Sequence, residues 1–237
     1  MCSEAIILAG GLGTRLRSVL PPDIPKPMAP VNGKPFLAHQ IEYWQQQGIK
    51  SFILSVGHKY EAIQKYFGKS YRGAEIAYSI EDKPLGTGGG VVLATNRLKQ
   101  ETFLLLNGDT YFDIALGELQ KFHKTNCSDF TISLGYLRIN DRYSGVRVGS
   151  DNRITGFFSR GEPKTGCLIN AGVYLVEKHS LNKWMGSVLD QPVSLEDQVI
   201  PAIINDEKRV FGFTCREACF IDIGIPDDYK RAEEVLK

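Results

Sequence analysis

A glycine-rich turn near the start of the chain contains the residue types that bind phosphate. Gly10, Gly11 and Gly13 follow an apolar run at 5–8, and Arg15 comes two residues later. Glycine lets backbone N–H groups approach an anion closely, and arginine adds a positive charge with a planar set of donors. An ordinary tight turn is the alternative, because glycine-rich loops alone are weak signals. Arg15 favours a ligand.

The turn differs from the two best-known nucleotide-binding motifs. A dinucleotide fingerprint needs glycine where Leu16 stands, and a P-loop needs a Gly-Lys-Ser/Thr sequence that is absent. A lysine follows between two prolines, Pro25-Lys26-Pro27, which restrict the backbone that carries it. Lys26 is therefore a second candidate for binding phosphate, and a solvated surface lysine is the alternative.

Two aspartates are candidates for holding Mg²⁺. Asp109 follows the apolar run 103–106, and Asp222 follows the run 219–221. Carboxylates at strand ends face the ligand crevice of a parallel sheet, and Mg²⁺ prefers hard oxygen ligands. Turn or cap residues are the alternative for both. Asp113 and Asp227 are rejected as ligands, because they are predicted to be the N-cap of the next helix and a first-turn residue of the last helix.

A second glycine-rich segment, 86–90, precedes an apolar run at 91–98. We expect a flexible loop whose N–H groups pack on a nucleobase, followed by a helix over 91–98. Glu81 is a candidate acceptor for the N1–H and amino groups of guanine, although an exposed charge is the commoner explanation.

Two polar side chains in the second half suit sugar hydroxyls. Asn170 precedes the predicted strand 173–176 and offers both a donor and an acceptor. Glu196 is able to accept from two adjacent hydroxyls. Its alternative is an ordinary first-turn glutamate beside a capping pair formed by Ser194 and Asp197.

Strand-length apolar runs alternate with helical patterns in the first half of the chain. The predicted strands are 5–8, 52–56, 76–80 and 103–106, and the predicted helices are 36–47, 60–67 and 91–98. Later strands at 130–137, 145–148, 154–158, 173–176 and 210–214 predict a mixed sheet, and a polar helix at 227–237 follows. We expect an α/β fold: a Rossmann-like mixed, mainly parallel sheet flanked by helices, in one domain, 1–237.

Composition limits the function classes. With 28 basic and 27 acidic residues among 237, the net charge of +1 gives no general attraction for nucleic acid or an anionic membrane. Five cysteines without a CxxC pair argue against a disulfide framework or a zinc cluster. The first apolar run is too short for a signal sequence or membrane span, so a cytoplasmic location is expected.

The blocks of sequence described above, taken together, resemble the sugar-1-phosphate nucleotidyltransferases. The resemblance rests on Gly-Gly-x-Gly-Thr-Arg-Leu at 10–16, Pro-Lys-Pro at 25–27, Leu-Gly-Thr-Gly at 85–88, Asn-Gly-Asp at 107–109, Asn-Ala-Gly at 170–172 and Phe-Ile-Asp-Ile-Gly at 220–224. Within that family, the segment 25–37 is most similar to the D-glycero-α-D-manno-heptose 1-phosphate guanylyltransferases. The implied fold is that of the nucleotide-diphospho-sugar transferases.

The resemblance also implies a role for each residue. It makes Arg15, Lys26 and Asp109 catalytic, and it makes Asp109 and Asp222 ligands of Mg²⁺. The nucleotide-binding residues it implies are Leu8, Ala9, Gly10, Gly11, Gly13, Thr14, Glu81, Leu85, Gly86, Thr87 and Gly88. The sugar-phosphate-binding residues it implies are Gly108, Arg160, Asn170, Gly172 and Glu196.

Two positions depart from the family pattern. Gly88 stands where many relatives carry alanine, which weakens the assignment of the base. Phe157-Phe158-Ser159-Arg160 replaces the Phe-x-Glu-Lys of many relatives, whose lysine holds the sugar phosphate. Arg160 keeps the positive charge with a different geometry, and Lys164 is an alternative holder.

The implied reaction joins a nucleoside monophosphate from a triphosphate to a sugar 1-phosphate and releases pyrophosphate. GTP and a heptose 1-phosphate are the expected substrates. UTP or CTP with a hexose or amino-sugar 1-phosphate, or an inactive nucleotide-sugar-binding regulatory module, are the alternatives. We expect a monomer or small homo-oligomer.

Overall fold

The computed structural model describes residues 2–11, 13, 16, 19–21, 23–140, 143–158, 164–184 and 191–236. Within these ranges, the side chains of 138–140, 164, 165 and 184 are not described.

Strands and helices alternate through the first half of the chain. The strands are β1 (Glu4–Leu8), β2 (Pro30–Val31), β3 (Lys34–Pro35), β4 (Ser51–Val56), β5 (Ser70–Tyr71), β6 (Ala74–Ile80), β7 (Thr102–Asn107), β8 (Thr110–Phe112), β9 (Phe130–Asn140), β10 (Val146–Val148), β11 (Ile154–Phe157), β12 (Lys164–Glu177), β13 (Val210–Cys215) and β14 (Phe220–Asp222). The helices are α1 (Phe36–Gln46), α2 (Tyr60–Phe67), α3 (Gly86–Thr95), α4 (Leu116–Thr125), α5 (Ile200–Asn205) and α6 (Pro226–Val235). Short 3-10 turns span Lys26–Met28 and Lys178–Trp184, and a π-helical turn, Leu195–Val199, leads into α5.

Eight strands form the central sheet in the order β13-β9-β12-β7-β1-β4-β6-β5. β1 pairs in parallel with β4 and β7, β4 pairs in parallel with β6, and β9 pairs in parallel with β13. β12 is antiparallel to both β7 and β9, and β5 is antiparallel to β6. The prediction of a mixed, mainly parallel sheet is confirmed.

Apolar side chains cover both faces of this sheet, as expected for strands that read as continuous apolar runs. Successive residues of β7 alternate between the two layers: Leu104 and Leu106 pack with α1, α2 and α4, while Phe103 and Leu105 pack with α3 and α5. A strand buried on both sides fixes where its last residue lies. The carboxyl ends of β1 and β7 are therefore held firmly beside each other.

A third apolar cluster holds the C-terminal helix against the segment that carries Lys26. Ala232 of α6 and Leu236, just after its end, pack with Ile221 of β14 and with Phe36. The side-chain amide of Asn32 donates to the backbone oxygens of Glu233 and Leu236, at 2.8 and 2.6 Å. These contacts hold α6 and β14 against the segment that follows the 3-10 turn Lys26–Met28.

Three local predictions were wrong. The glycines at 86–90 are not a loop, because α3 already begins at Gly86. Asn170 does not precede its strand, since β12 runs from Lys164 with a register shift between Asn170 and Tyr174. Asp113 does not cap α4, whose N-cap is Ala115; the Asp113 carboxylate instead accepts from the backbone N–H of Cys219. Asp227 lies in the first turn of α6, as predicted.

Candidate active site

A cleft of about 830 Å³ opens at the carboxyl ends of β1, β4, β6 and β7. Most of the predicted site residues line it: Leu8, Gly10, Gly11, Lys26, Glu81, Gly86, Thr87, Gly108, Asp109, Asn170, Gly172, Glu196 and Asp222. Ala9, Gly13, Leu85 and Gly88 are not among its lining residues; Ala9, Leu85 and Gly88 each adjoin a lining residue, and Gly13 lies two positions after Gly11. Thr14, Arg15 and Arg160 lie outside the described residues, as does the side chain of Lys164.

The turns after β1 and β7 touch through Gly108. Its N–H donates to the Leu8 backbone oxygen at 2.9 Å. A Cβ atom on Gly108 would lie 2.3 Å from that same oxygen, far inside van der Waals contact. Because glycine has no Cβ, the phosphate-type turn at Gly10 and Gly11 can lie directly beside Asp109.

Lys26 and Asp109 form an ion pair inside the cleft. The Lys26 Nζ lies 2.5 Å from Asp109 Oδ2, and the side chains are 12% and 38% exposed, respectively. The Thr110 hydroxyl donates to the other Asp109 oxygen at 3.2 Å. Gly13 has a φ of +58°, and a Cβ there would lie 2.8 Å from the Lys26 Cβ. The glycine-rich turn therefore packs directly on the lysine that the flanking prolines position.

Asp222 reaches the same cleft through a small antiparallel ladder. β14 pairs with β8 so that Asp222 faces Thr110, and the Ile223 N–H donates to the Asp109 backbone oxygen at 2.9 Å. One Asp222 carboxylate oxygen accepts from the Gly224 N–H at 2.7 Å. The two predicted carboxylates thus line one cleft although they lie far apart in sequence.

The donor set fits a cation that also binds phosphate. Asp109 and Asp222 supply hard oxygens, and the ammonium already seated on Asp109 marks this position as one that accepts positive charge. Among the described residues, no group of three or more His, Cys, Asp and Glu side chains forms a complete metal site. Mg²⁺ is usually held by one or two carboxylates with substrate phosphates and water completing its shell, so these residues fit it.

Glu81 is half-buried below the first glycine turn, so the exposed-charge alternative is wrong. One of its oxygens accepts from the Leu85 N–H at 3.0 Å, and the other lies 3.4 Å from the Ser55 hydroxyl. A Cβ on Gly90 would lie 2.7 Å from the Glu81 carboxylate, so that glycine of α3 leaves the space it occupies. Burial raises the pKa of Glu81 above its usual value, although both hydrogen bonds favour the charged form.

Asn170 and Gly172 form the bulge of β12 at the opposite wall. The Asn170 side-chain oxygen accepts from the Gly172 N–H at 3.0 Å, and its amide donates to the Tyr174 hydroxyl at 2.8 Å. Gly172 has a φ of +69°, and a Cβ there would lie 3.0 Å from the Asn107 Cβ. This bulge brings Gly172 against the end of β7, and both Asn170 and Gly172 line the cleft.

Glu196 connects the two walls. One of its oxygens accepts from the Thr87 hydroxyl at 3.0 Å, and the other lies 3.4 Å from the Asn107 amide nitrogen. The predicted capping pair is also present, because the Ser194 hydroxyl accepts from the Asp197 N–H at 3.1 Å. Glu196 therefore lies in a capped first turn and in the cleft at the same time.

Sequence reasoning missed several lining residues, many of them aromatic. The missed residues are Pro27, Ser55, Pro84, Asn107, Thr110, Tyr143, Ser144, Phe157, Phe158, Asp197, Pro201 and Phe220. Tyr143 and Phe220 meet edge to face with ring centroids 5.4 Å apart, and the Arg147 guanidinium lies 4.4 Å from the Phe158 ring centre. Asn107 belongs to the Asn-Gly-Asp block, Phe220 to the Phe-Ile-Asp-Ile-Gly block, and Phe157 and Phe158 to the segment that departs from the family pattern, so each had a signal; Tyr143 lies in none of these segments.

The cleft thus places a glycine-rich phosphate turn, a lysine and two carboxylates beside a second polar wall, as an enzyme that transfers a nucleotidyl group requires. The chain belongs to the nucleotidyl transferase family, whose profile matches residues 4–237. The predicted enzyme class is confirmed.

Relatives and a solved structure resemble the chain over nearly its whole length. It is 41% identical to the D-glycero-α-D-manno-heptose 1-phosphate guanylyltransferase of Aneurinibacillus thermoaerophilus, covering 99% of this chain and 98% of the relative. It is 43% identical to the enzyme of the same name from Campylobacter jejuni, covering 95% and 96%. The crystal structure of HddC from Yersinia pseudotuberculosis complexed with GMP-PN superposes with a TM-score of 0.81 at 33% identity, covering 99% of this chain and 100% of that one.

Solved structures that resemble this chain confirm the nucleotide-diphospho-sugar transferase fold expected from the sequence. Among the described residues, no helix combines the length and apolar character needed to cross a bilayer.

Proposed function

We propose that this chain transfers the guanylyl group of GTP to D-glycero-α-D-manno-heptose 1-phosphate, giving GDP-heptose and pyrophosphate. The observation that carries the proposal is one continuous cleft in which Glu196 contacts both Thr87, on the nucleotide wall, and Asn107, beside the sugar wall. Two relatives with 41% and 43% identity bear the name of this activity, which supports both substrates.

The nucleotide occupies the side of the cleft built from β1 and α3. Its phosphates lie against the turn that contains Leu8, Ala9, Gly10, Gly11, Gly13 and Thr14. The base lies near Leu85, Gly86, Thr87 and Gly88. Glu81 accepts from the guanine N1–H and amino group, for which a carboxylate provides two acceptors. The sugar phosphate lies against Gly108, Asn170, Gly172 and Glu196, and Arg160 or Lys164 holds its phosphate.

The sugar phosphate is an anion at neutral pH, so it attacks without a general base. Its oxygen forms a bond to the α-phosphorus, the bond between the α-phosphorus and the bridging oxygen breaks, and pyrophosphate leaves with that oxygen. Arg15 and Lys26 offset the charge on the triphosphate and the leaving group, and the walls hold the reactants in line. Mg²⁺ held by Asp109 and Asp222 supplies further positive charge to the triphosphate oxygens when bound.

We further propose that residues 1–237 act as one catalytic domain in the cytoplasm, as a monomer or small homo-oligomer. All five cysteines are unpaired in the structure, which agrees with a reducing compartment.

Pyrophosphate release tests the proposal directly. The purified protein is assayed with Mg²⁺, each of the four common nucleoside triphosphates, and D-glycero-α-D-manno-heptose 1-phosphate or a hexose 1-phosphate. We expect release with GTP and the heptose phosphate, and at least about 100-fold slower release from an Asp109→Asn variant assayed in parallel. Turnover with a different pair would keep the chemistry and discard the substrates. No release with any pair would favour the nucleotide-sugar-binding module instead.

A further inference from the structure

The Thr87 hydroxyl lies between the two walls of the cleft and is hydrogen-bonded in both directions. It accepts from the Leu195 N–H at 2.8 Å and donates to Glu196 Oε2 at 3.0 Å. A hydroxyl has a single proton to donate. In this arrangement that proton goes to Glu196, so the Thr87 hydroxyl has no donor left for a nucleotide.

The backbone around Thr87 is fitted closely to the segment that carries Glu196. The Gly88 N–H donates to the Val193 backbone oxygen at 2.8 Å, and the Val193 N–H donates to the Leu85 oxygen at 2.8 Å. Gly86 has a φ of +74°, and a Cβ there would lie 2.5 Å from the Val193 oxygen. A Cβ on Gly88 would lie 2.7 Å from a Val199 methyl group. The start of α3 therefore forms a fixed support for the Val193–Val199 segment.

These contacts also explain the departure at Gly88. An alanine at this position would press on Val199, so glycine is the residue that lets the two segments pair. The pairing in turn brings the Thr87 hydroxyl to the Leu195 N–H and the Glu196 carboxylate.

We propose that Thr87 is a positioning residue for Glu196, and that its hydroxyl acts on the sugar 1-phosphate instead of on the nucleotide whose base lies near this segment. This inference rests on the proposed function, in which Glu196 accepts from sugar hydroxyls. Thr87 holds one carboxylate oxygen toward α3, so that the carboxylate faces the sugar in a single orientation. The Asn107 amide, 3.4 Å from the other oxygen, completes the support.

The test compares variants that remove or keep the hydroxyl. Thr87→Val has nearly the same shape but lacks the hydroxyl, so it removes both the bond to Glu196 and the acceptor of the Leu195 N–H, whereas Thr87→Ser keeps both. Thr87→Ala replaces the valine variant if that variant does not fold. Thr102→Val is the matched control. The Thr102 hydroxyl makes the same kind of bond to the Glu177 carboxylate, at 2.7 Å, but at the end of β7 that is away from the cleft. KM for each substrate and kcat are measured by pyrophosphate release.

We expect Thr87→Val to raise KM for the sugar 1-phosphate about tenfold while KM for GTP changes less than about twofold, because the bond to the Glu196 carboxylate and the Leu195 N–H bond that holds the same turn are both lost on the sugar side. Thr87→Ser should lower KM for the sugar 1-phosphate from the Thr87→Val value back toward that of the wild type, and Thr102→Val should retain wild-type constants. In a Glu196→Ala background, Thr87→Val should add no further increase, since it acts through that carboxylate.

A larger rise in KM for GTP than for the sugar phosphate, or an effect that persists in the Glu196→Ala background, would overturn the inference while leaving the proposed function intact. A wild-type protein that releases no pyrophosphate with any substrate pair would overturn both.

Discussion

Replacing Gly108 by alanine is expected to damage the active site through the backbone alone. The added Cβ would lie 2.3 Å from the Leu8 oxygen, 3.0 Å from its carbonyl carbon and 3.2 Å from the Ala9 Cα. All three atoms belong to backbone, and β1 is fixed by its pairing with both β4 and β7. No flexible side chain can move aside to make room.

The displacement sets the magnitude. Real Cβ contacts stay above 3.0 Å, so a separation of 2.3 Å has to increase by about 0.7 Å. Forced overpacking of this kind destabilises by about 1–3 kcal/mol. The same displacement separates the phosphate turn from Asp109. A misplacement on the order of 1 Å in a positioned reactant can reduce the rate about 100-fold. We therefore expect Gly108→Ala to lower kcat by roughly 30- to 100-fold.

Gly117→Ala is the matched control. Gly117 is exposed on α4, and a Cβ there meets no atom within 4 Å. This variant should gain about 0.4–1 kcal/mol of stability, because alanine restricts the unfolded chain, with no change in kcat. Pyrophosphate release and urea unfolding measure the two effects. A Gly108→Ala protein with wild-type kcat and an unchanged unfolding midpoint would refute the reasoning.

Two further substitutions test the charged groups of the cleft. Burial raises the pKa of Glu81, so the folded protein keeps the carboxyl proton to higher pH than the unfolded chain does. The free energy of unfolding therefore falls as the pH rises from the ordinary pKa of 4.5 through the raised pKa of the folded state. Glu81→Gln should remove this pH-dependent loss of stability and so raise the Tm at neutral pH, while KM for GTP increases about tenfold. A lower Tm or an unchanged KM for GTP would contradict this prediction. Asp109→Asn leaves the Lys26 ammonium without its charged partner, 2.5 Å away. It should reduce turnover at least about 100-fold but unfolding free energy by only about 1 kcal/mol, since solvent screens a carboxylate that is 38% exposed. An active Asp109→Asn enzyme would remove the metal-ligand assignment.

The strands of the first half were predictable because they are buried on both faces. An apolar run such as Phe103–Leu106 packs against helices on each side, so its composition alone indicates a central strand. Its position then implies that the next polar residues, through Asp109, face the ligand crevice. Fold class and strand ends made Asp109 a candidate, whereas the roles of residues such as Glu196 came from the family resemblance.

The glycines of α3 show where local propensity gave the wrong answer. Glycine is a poor helix former, so the segment at 86–90 was predicted to be a loop. In the structure, tertiary contacts outweigh this preference. The Glu81 carboxylate accepts the Leu85 N–H at the start of the helix, and Gly88 and Gly90 provide space for Val199 and Glu81. Val199 is distant in sequence, and the contact between Gly90 and Glu81 forms only in the folded chain, so a local pattern could not reveal either partner.

Long-range pairing explains what else the sequence did not show. Thr87 contacts Glu196, and Asp109 contacts Ile223 at the end of β14, only after separate segments fold back on the sheet. The glycines of the motifs take part in this assembly as well as in approaching phosphate. Three of them permit close contacts of this kind: Gly13 with Lys26 and Gly172 with Asn107, each in another motif block, and Gly108 with Leu8, just before the first block. A side chain added at any of these glycines displaces a residue of another segment. The motif blocks therefore depend on one another physically. A substitution at one of these glycines should displace residues of the other segment that the glycine contacts.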